Sequence, residues 1–225
     1  MCKSVEKVVT GEVFPLFEES KWFEGCKILK RLSFELRDNH TTEEKRLVYY
    51  NYAWVLHEIN EFDLAKKYTR MIKNIMEKDE EYMKTNEEKY YKVLNLYDQI
   101  LKEEDGYDEE NMSEEQMKIK EDLYMKSYMI SRNKVNYLDQ AFMAKADLYF
   151  LRKDYHGVAD ICDLIHSYRF YKRMNGEDIP ENMLNKLDET QKRLMEKLKK
   201  KDEKIFNDLI NELYPTIDNL SITNM

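Results

Sequence analysis

The sequence predicts an all-α fold. The chain of 225 residues has only five Gly and three Pro, too few for the turns of a sandwich or the loops of an open α/β sheet. Apolar residues recur at helical spacing almost from end to end. Polar cap residues stand where those runs begin.

Ten helices follow from that pattern. The first lies within Ser4 to Glu19, and Gly11 and Pro15 are expected to interrupt it. The second covers Lys21 to Arg37, with Trp22, Cys26, Leu29 and Leu32 on one face, and a break falls at Asp38-Asn39-His40. Thr41 with Glu44 three residues on forms a capping box and starts a third helix that runs to about Ile59. After a turn at Asn60-Glu61, a fourth carries Phe62, Ala65, Tyr68, Ile72 and Ile75 inward. The polar run Glu77-Lys78-Asp79-Glu80-Glu81 is expected to be a solvated helix surface. A fifth helix runs from about Asn86 to Glu103.

The acidic segment from Glu104 to Asn111 is expected to be an exposed, mobile loop. Ser113 with Gln116 caps the sixth helix. The seventh spans about Tyr137 to Leu151. Asp154 caps the eighth, which Asn175-Gly176 stops. Ile179-Pro180 starts the ninth, where Leu184, Leu187, Gln191, Leu194 and Leu198 follow 3-4-3-4 spacing. The last carries Ile205, Leu209, Ile210 and Leu213 before Pro215, with a frayed tail from Thr216 to Met225.

Composition excludes several functions. With 37 Lys+Arg against 45 Asp+Glu the formal net charge is −8, so no direct nucleic-acid binding is expected. The basic cluster Lys197, Lys199, Lys200 and Lys201 reads as a solvated helix face. No apolar run is long enough for a membrane span, and Met1 to Phe17 lacks the pattern of a secretory signal. Cys2, Cys26 and Cys162, odd in number and widely spaced, fit free thiols in a reducing cytoplasm. Cys162 and His166 lie four apart on one predicted helix, but no further metal ligand or activating base accompanies them. No cofactor, metal or enzymatic activity is expected.

Short turns make successive helices antiparallel hairpins, and one of these has a recognisable repeat pattern. Tyr49-x2-Tyr52-Ala53-x2-Leu56, then Phe62, then Ala65 places small residues where two helices cross and large ones around them. The stretch resembles a tetratricopeptide repeat. It departs from that pattern at Thr69, Ile72 and Glu77. Weaker copies are Tyr90-x2-Val93-Leu94-x2-Tyr97 and Phe142-x2-Lys145-Ala146-x2-Tyr149, the latter followed by Tyr155, Val158, Cys162 and Ile165. Trp22-x2-Gly25-x3-Leu29-x2-Leu32 looks like the second helix of another repeat. The first helices recur at wider intervals than the family's roughly 34 residues.

The resemblance implies a right-handed α-solenoid of about five such hairpins over residues 1–179, with a C-terminal capping pair over 180–225. It further implies a concave face formed by the first helices, lined by Tyr50, Asn51, Trp54, His57 and Glu58, by Tyr91, Lys92, Asn95 and Gln99, and by Met143, Asp147, Phe150 and Leu151. By the same resemblance Asn51 would bond the main chain of a bound peptide. The chain also resembles the helical-repeat domains of peptide-pheromone receptors of Gram-positive bacteria and their phages (the Rap, NprR, PlcR and arbitrium-receptor group), without their helix-turn-helix. The expected function is a non-enzymatic regulator that binds a short peptide or protein partner. The alternative is a structural subunit that uses an apolar flank to form a homo-oligomer or a larger assembly.

Overall fold

The computed structural model describes residues 4–105, 112–132, 137–174 and 181–214. Every element among them is helical. The expected stop at Asn175-Gly176, the start at Ile179-Pro180 and the tail beyond Pro215 lie outside the described residues, as does Cys2. Packing separates the chain into two compact units, Met1–Leu123 and Tyr124–Met225. The sequence had suggested a division at 179/180.

In the first unit, α1 (Val5–Val8) passes without a break through a π-helical stretch, Val9–Val13, into α2 (Phe14–Glu18). The expected interruption at Gly11 and Pro15 is thus a change of helical register. Pro15 has no N–H to bond the Gly11 carbonyl, and its ring would press on that carbonyl in an α-helix. The wider π turn, closed by Phe14 N–H to the Val9 carbonyl, accommodates it. Val8, Val9 and Val13 are buried.

The remaining helices of this unit are α3 (Trp22–Glu35), α4 (Thr42–Glu58), α5 (Phe62–Lys78), α6 (Glu80–Thr85), α7 (Glu87–Asp105) and the first half of α8 (Glu114–Ser131). The Thr41/Glu44 capping box forms in full. The Ser113/Gln116 pair also bonds reciprocally. Ala53 and Ala65 are completely buried at the α4/α5 crossing, with Tyr49, Tyr52 and Leu56 around them. Thr69 is buried and bonds the Ala65 carbonyl at 2.8 Å.

Helix α6 was not foreseen. Asp79 caps it by accepting from Tyr82 N–H and also accepts from the Thr42 hydroxyl, while Glu77 accepts from Tyr90 and Lys73. The run Glu77 to Glu81 is therefore a bonded junction, not simply a solvated surface. Helix α7 continues through Glu104, which pairs with Lys66, to Asp105. The rest of the expected loop, 106–111, lies outside the described residues.

The second unit contains the end of α8 and α9 (Leu138–Leu151), α10 (Tyr155–Met174), α11 (Glu181–Lys201) and α12 (Glu203–Leu213). Its core joins Ala146, Val158, Cys162 and Ile165 to Leu187, Leu194, Leu198 and Leu209. Gln191 is buried there and donates to the Cys162 carbonyl at 3.1 Å. Lys145, where a leucine would suit the repeat, lies with its ammonium 5.3 Å and 5.1 Å from the ring centres of Tyr128 and Tyr149.

Three turns share one geometry. Ser20, Asn60 and Lys153 have φ of 58°, 61° and 56°. Their N–H groups return to the carbonyls of Phe17, His57 and Phe150. The next N–H groups, of Lys21, Glu61 and Asp154, reach Leu16, Leu56 and Tyr149. This double closure is the Schellman arrangement, which ends a helix with one left-handed residue. In each case the ring that opens the following helix meets the ring five residues earlier: Phe17–Trp22 at 5.6 Å, His57–Phe62 at 6.0 Å and Phe150–Tyr155 at 6.4 Å. Three positions further on stand Gly25, Ala65 and Val158, all buried.

Candidate functional site

Helices α4 and α7 are parallel. At their N-terminal ends Lys89 Nζ lies 3.0 Å from Glu43 Oε2. Near their C-terminal ends His57 Nε2 lies 3.0 Å from Glu103 Oε2. The spacing between the two contacts is the same on both helices, so one register holds along their length. Helix α5 runs antiparallel to α7, with Glu77 against Tyr90, Arg70 against Tyr97 and Lys66 against Glu104.

The candidate residues of α4 divide by role. Trp54 packs into an aromatic cluster, its ring 5.2 Å from Phe17 and 5.4 Å from Trp22. His57 is turned toward Glu103 and toward the Phe62 ring. Asn51 is half-buried, and its amide nitrogen donates to the Leu47 carbonyl at 2.6 Å. Tyr50 is half-buried, and burial raises its hydroxyl above the ordinary tyrosine range against the pull of Arg46. On α7, Tyr91 and Asn95 are half-buried while Lys92 and Gln99 are exposed.

In the second unit the candidate residues of α9 are partly engaged. Met143 is half-buried. Lys197 of α11 places its ammonium 3.2 Å from Asp147 Oδ1 and 4.4 Å from the Phe150 ring centre. Lys197 thus departs from the solvated face expected of the basic cluster. A cleft of about 390 Å³ lies along α11 and α12, lined by residues including Gln191, Met195, Lys199, Phe206 and Tyr214.

Electrostatics around α4 favour fixed charges. Burial alone would raise the Glu43 carboxyl, but hydrogen bonds from Arg46, Tyr82 and Lys89 pull it down to about 2. The Tyr82, Tyr90 and Tyr97 hydroxyls are all pushed well up, first by burial and then by the neighbouring carboxylates Glu43, Glu77 and Glu115. Groups held so far from neutrality suit structural pairing better than proton transfer. Cys162 is completely buried, and burial raises its thiol to about 12, so it is not a thiolate near neutral pH. His166 lies against the Tyr214 ring at 5.6 Å. Among the described residues no cluster of three His, Cys, Asp or Glu is arranged to hold a metal ion, and no helix is long and apolar enough to cross a membrane.

Sequence reasoning missed the anchoring of this frame. Tyr82, Lys89 and Glu103 were not singled out, and no local spacing links them to Glu43 or His57. No family model, curated relative or solved structure matches the chain.

Proposed function

We propose that this chain is a non-enzymatic binding module of the tetratricopeptide-like kind, which holds a linear peptide or a partner helix along α4 and α7. The observation that carries the reading is the parallel, in-register pair of first helices. Tyr50, Asn51, Tyr91, Lys92, Asn95 and Gln99 on those helices retain exposed surface. Amides and tyrosines of this kind bond a peptide main chain as donor or acceptor and supply rigid contact area. The shared Schellman turns support helical hairpins built on one local pattern. A regulator of the peptide-receptor type in the cytoplasm is the finer form of the proposal. The surface argued for rests on α4 and α7, because Asp147 and Phe150 are engaged by Lys197.

The test is selection of a displayed random-peptide library on the purified chain, then titration of the enriched peptides. Lys92→Glu, Asn95→Ala and Gln99→Ala should each weaken binding about tenfold, near 1.4 kcal/mol, with an unchanged circular dichroism spectrum. Failure to enrich any sequence, or binding indifferent to all three substitutions, would overturn the proposal.

A further inference from the structure

The outward face of α3 carries an unexplained pair of aromatics. Phe23 and Phe34 are 65% and 68% exposed, the two most exposed of the large apolar side chains among the described residues. With 3.6 residues per turn, positions 23, 27, 30 and 34 fall in one narrow stripe, opposite the buried Gly25, Leu29 and Leu32. The stripe therefore reads Phe, Lys, Lys, Phe. Lys27 and Lys30 make no ion pair among the described residues, whereas the neighbouring Arg31 lies 3.8 Å from Glu35. Two phenylalanines are held about 16 Å apart along the helix, with two unpaired ammonium groups between them. Core packing does not call for such a stripe, because α3 already buries its other side.

We infer that this stripe is a docking surface for an acidic amphipathic helix of a partner protein. The occupant follows from charge. Two-fold pairing with a second copy, antiparallel about the centre of the stripe, would set Lys27 against Lys30 and Lys30 against Lys27. A parallel pairing would set each lysine against itself. Either brings four like charges together, which costs stability. An anionic membrane gains only about 1 kcal/mol per lysine near its surface, so two lysines hold it weakly, whereas carboxylates on a facing helix pair with both ammonium groups directly. A helix with an apolar residue over each phenylalanine and carboxylates between them satisfies all four side chains, in the helix-on-helix mode of recognition. This surface is separate from the one proposed on α4 and α7.

The probe is a synthetic helical peptide with two leucines eleven residues apart and glutamates at the two intervening stripe positions. Its counterpart carries lysines in place of the glutamates. Titrations followed by nuclear magnetic resonance should shift α3 amides with the acidic peptide only. Lys27→Glu with Lys30→Glu should weaken the acidic peptide at least tenfold and improve the basic one. Phe23→Ser with Phe34→Ser should abolish binding of the acidic peptide, with unchanged thermal unfolding. Lys92→Glu should leave this binding intact, so failure of the α4/α7 proposal would be read separately. Equal binding of both peptides, or binding of neither, would overturn the inference. So would co-sedimentation with vesicles of phosphatidylserine and phosphatidylcholine in place of peptide binding, or a dimer that dissociates in the double phenylalanine variant.

Discussion

Phe17 lies directly over Gly25: a Cβ built on that glycine would meet Phe17 Cε1 at 2.4 Å and Cδ1 at 3.0 Å. The ring has little freedom to retreat, since Trp22 and Trp54 flank it. Gly25→Ala should therefore destabilise the chain. Overpacking costs about 1–3 kcal/mol, against a helix-propensity gain of about 1 kcal/mol. Gly11 has nothing within 4 Å of its Cβ position, so Gly11→Ala should be neutral or stabilising by up to about 1 kcal/mol. Urea midpoints of the two variants should move apart, and a stabilised Gly25→Ala would refute the close approach.

The sequence made the local features legible and concealed the long-range ones. Thr41/Glu44 and Ser113/Gln116 are bonded within their own turns, so their spacing announces them. Ala53 and Ala65 were readable because a close helix crossing admits only small residues. Helix α6 has six residues, too few for a period to register, and its cap Asp79 also bonds Thr42 in a distant turn. Trp54 shows the limit for the site. A helical wheel puts a core residue and a groove residue on the same face, and only the position of Phe17 and Trp22 tells that Trp54 is packed. Truncating Trp54 would therefore disturb the packing of Phe17 and Trp22. The repeated turns did leave a signal, the ring pairs five residues apart at 17/22, 57/62 and 150/155.

Glu43 makes stability depend on pH. Its folded carboxyl titrates near 2, below the ordinary value of 4.5. A depressed carboxylate stabilises the fold above its unfolded pKa, and that contribution is lost as pH falls through the folded value. The loss should fall between about pH 4.5 and pH 2. The side chain is 41% exposed, so solvent screening reduces its contribution to about 1–2 kcal/mol. Glu43→Gln should lower stability at pH 7 by that amount and converge with the parent near pH 2. Parallel stability curves across this range would contradict the assignment.

The three left-handed turn residues should respond unequally to glycine. A side chain at positive φ costs about 1–2 kcal/mol in general, and less for Asn, which tolerates that region. Lys153→Gly and Ser20→Gly should each stabilise the chain by about 1 kcal/mol, and Asn60→Gly by less. Unfolding of all three variants by urea gives the ranking. A loss of stability at Lys153 would show that its side chain contributes something the Schellman geometry does not account for.

Asp98 and Lys120 form the most deeply buried ion pair among the described residues. Their charged groups lie 3.2 Å apart with side chains only 5% and 4% exposed, and Lys102 approaches Asp98 at 2.7 Å from the side facing water. Removing one partner of such a pair leaves the other's charge less well compensated in a medium of low polarity. Asp98→Ala should cost about 3–5 kcal/mol, because Lys120 has no route to solvent comparable to that of Lys102. Lys120→Met should cost less, since Lys102 still neutralises Asp98. Asp98→Leu combined with Lys120→Met should recover most of the stability, as apolar replacement of both charges often does. A double-mutant cycle measured by urea unfolding isolates the coupling. A cost below about 1 kcal/mol for Asp98→Ala would mean that water reaches the pair and that α7 and α8 are held together by the apolar contacts of Ile119 and Leu123.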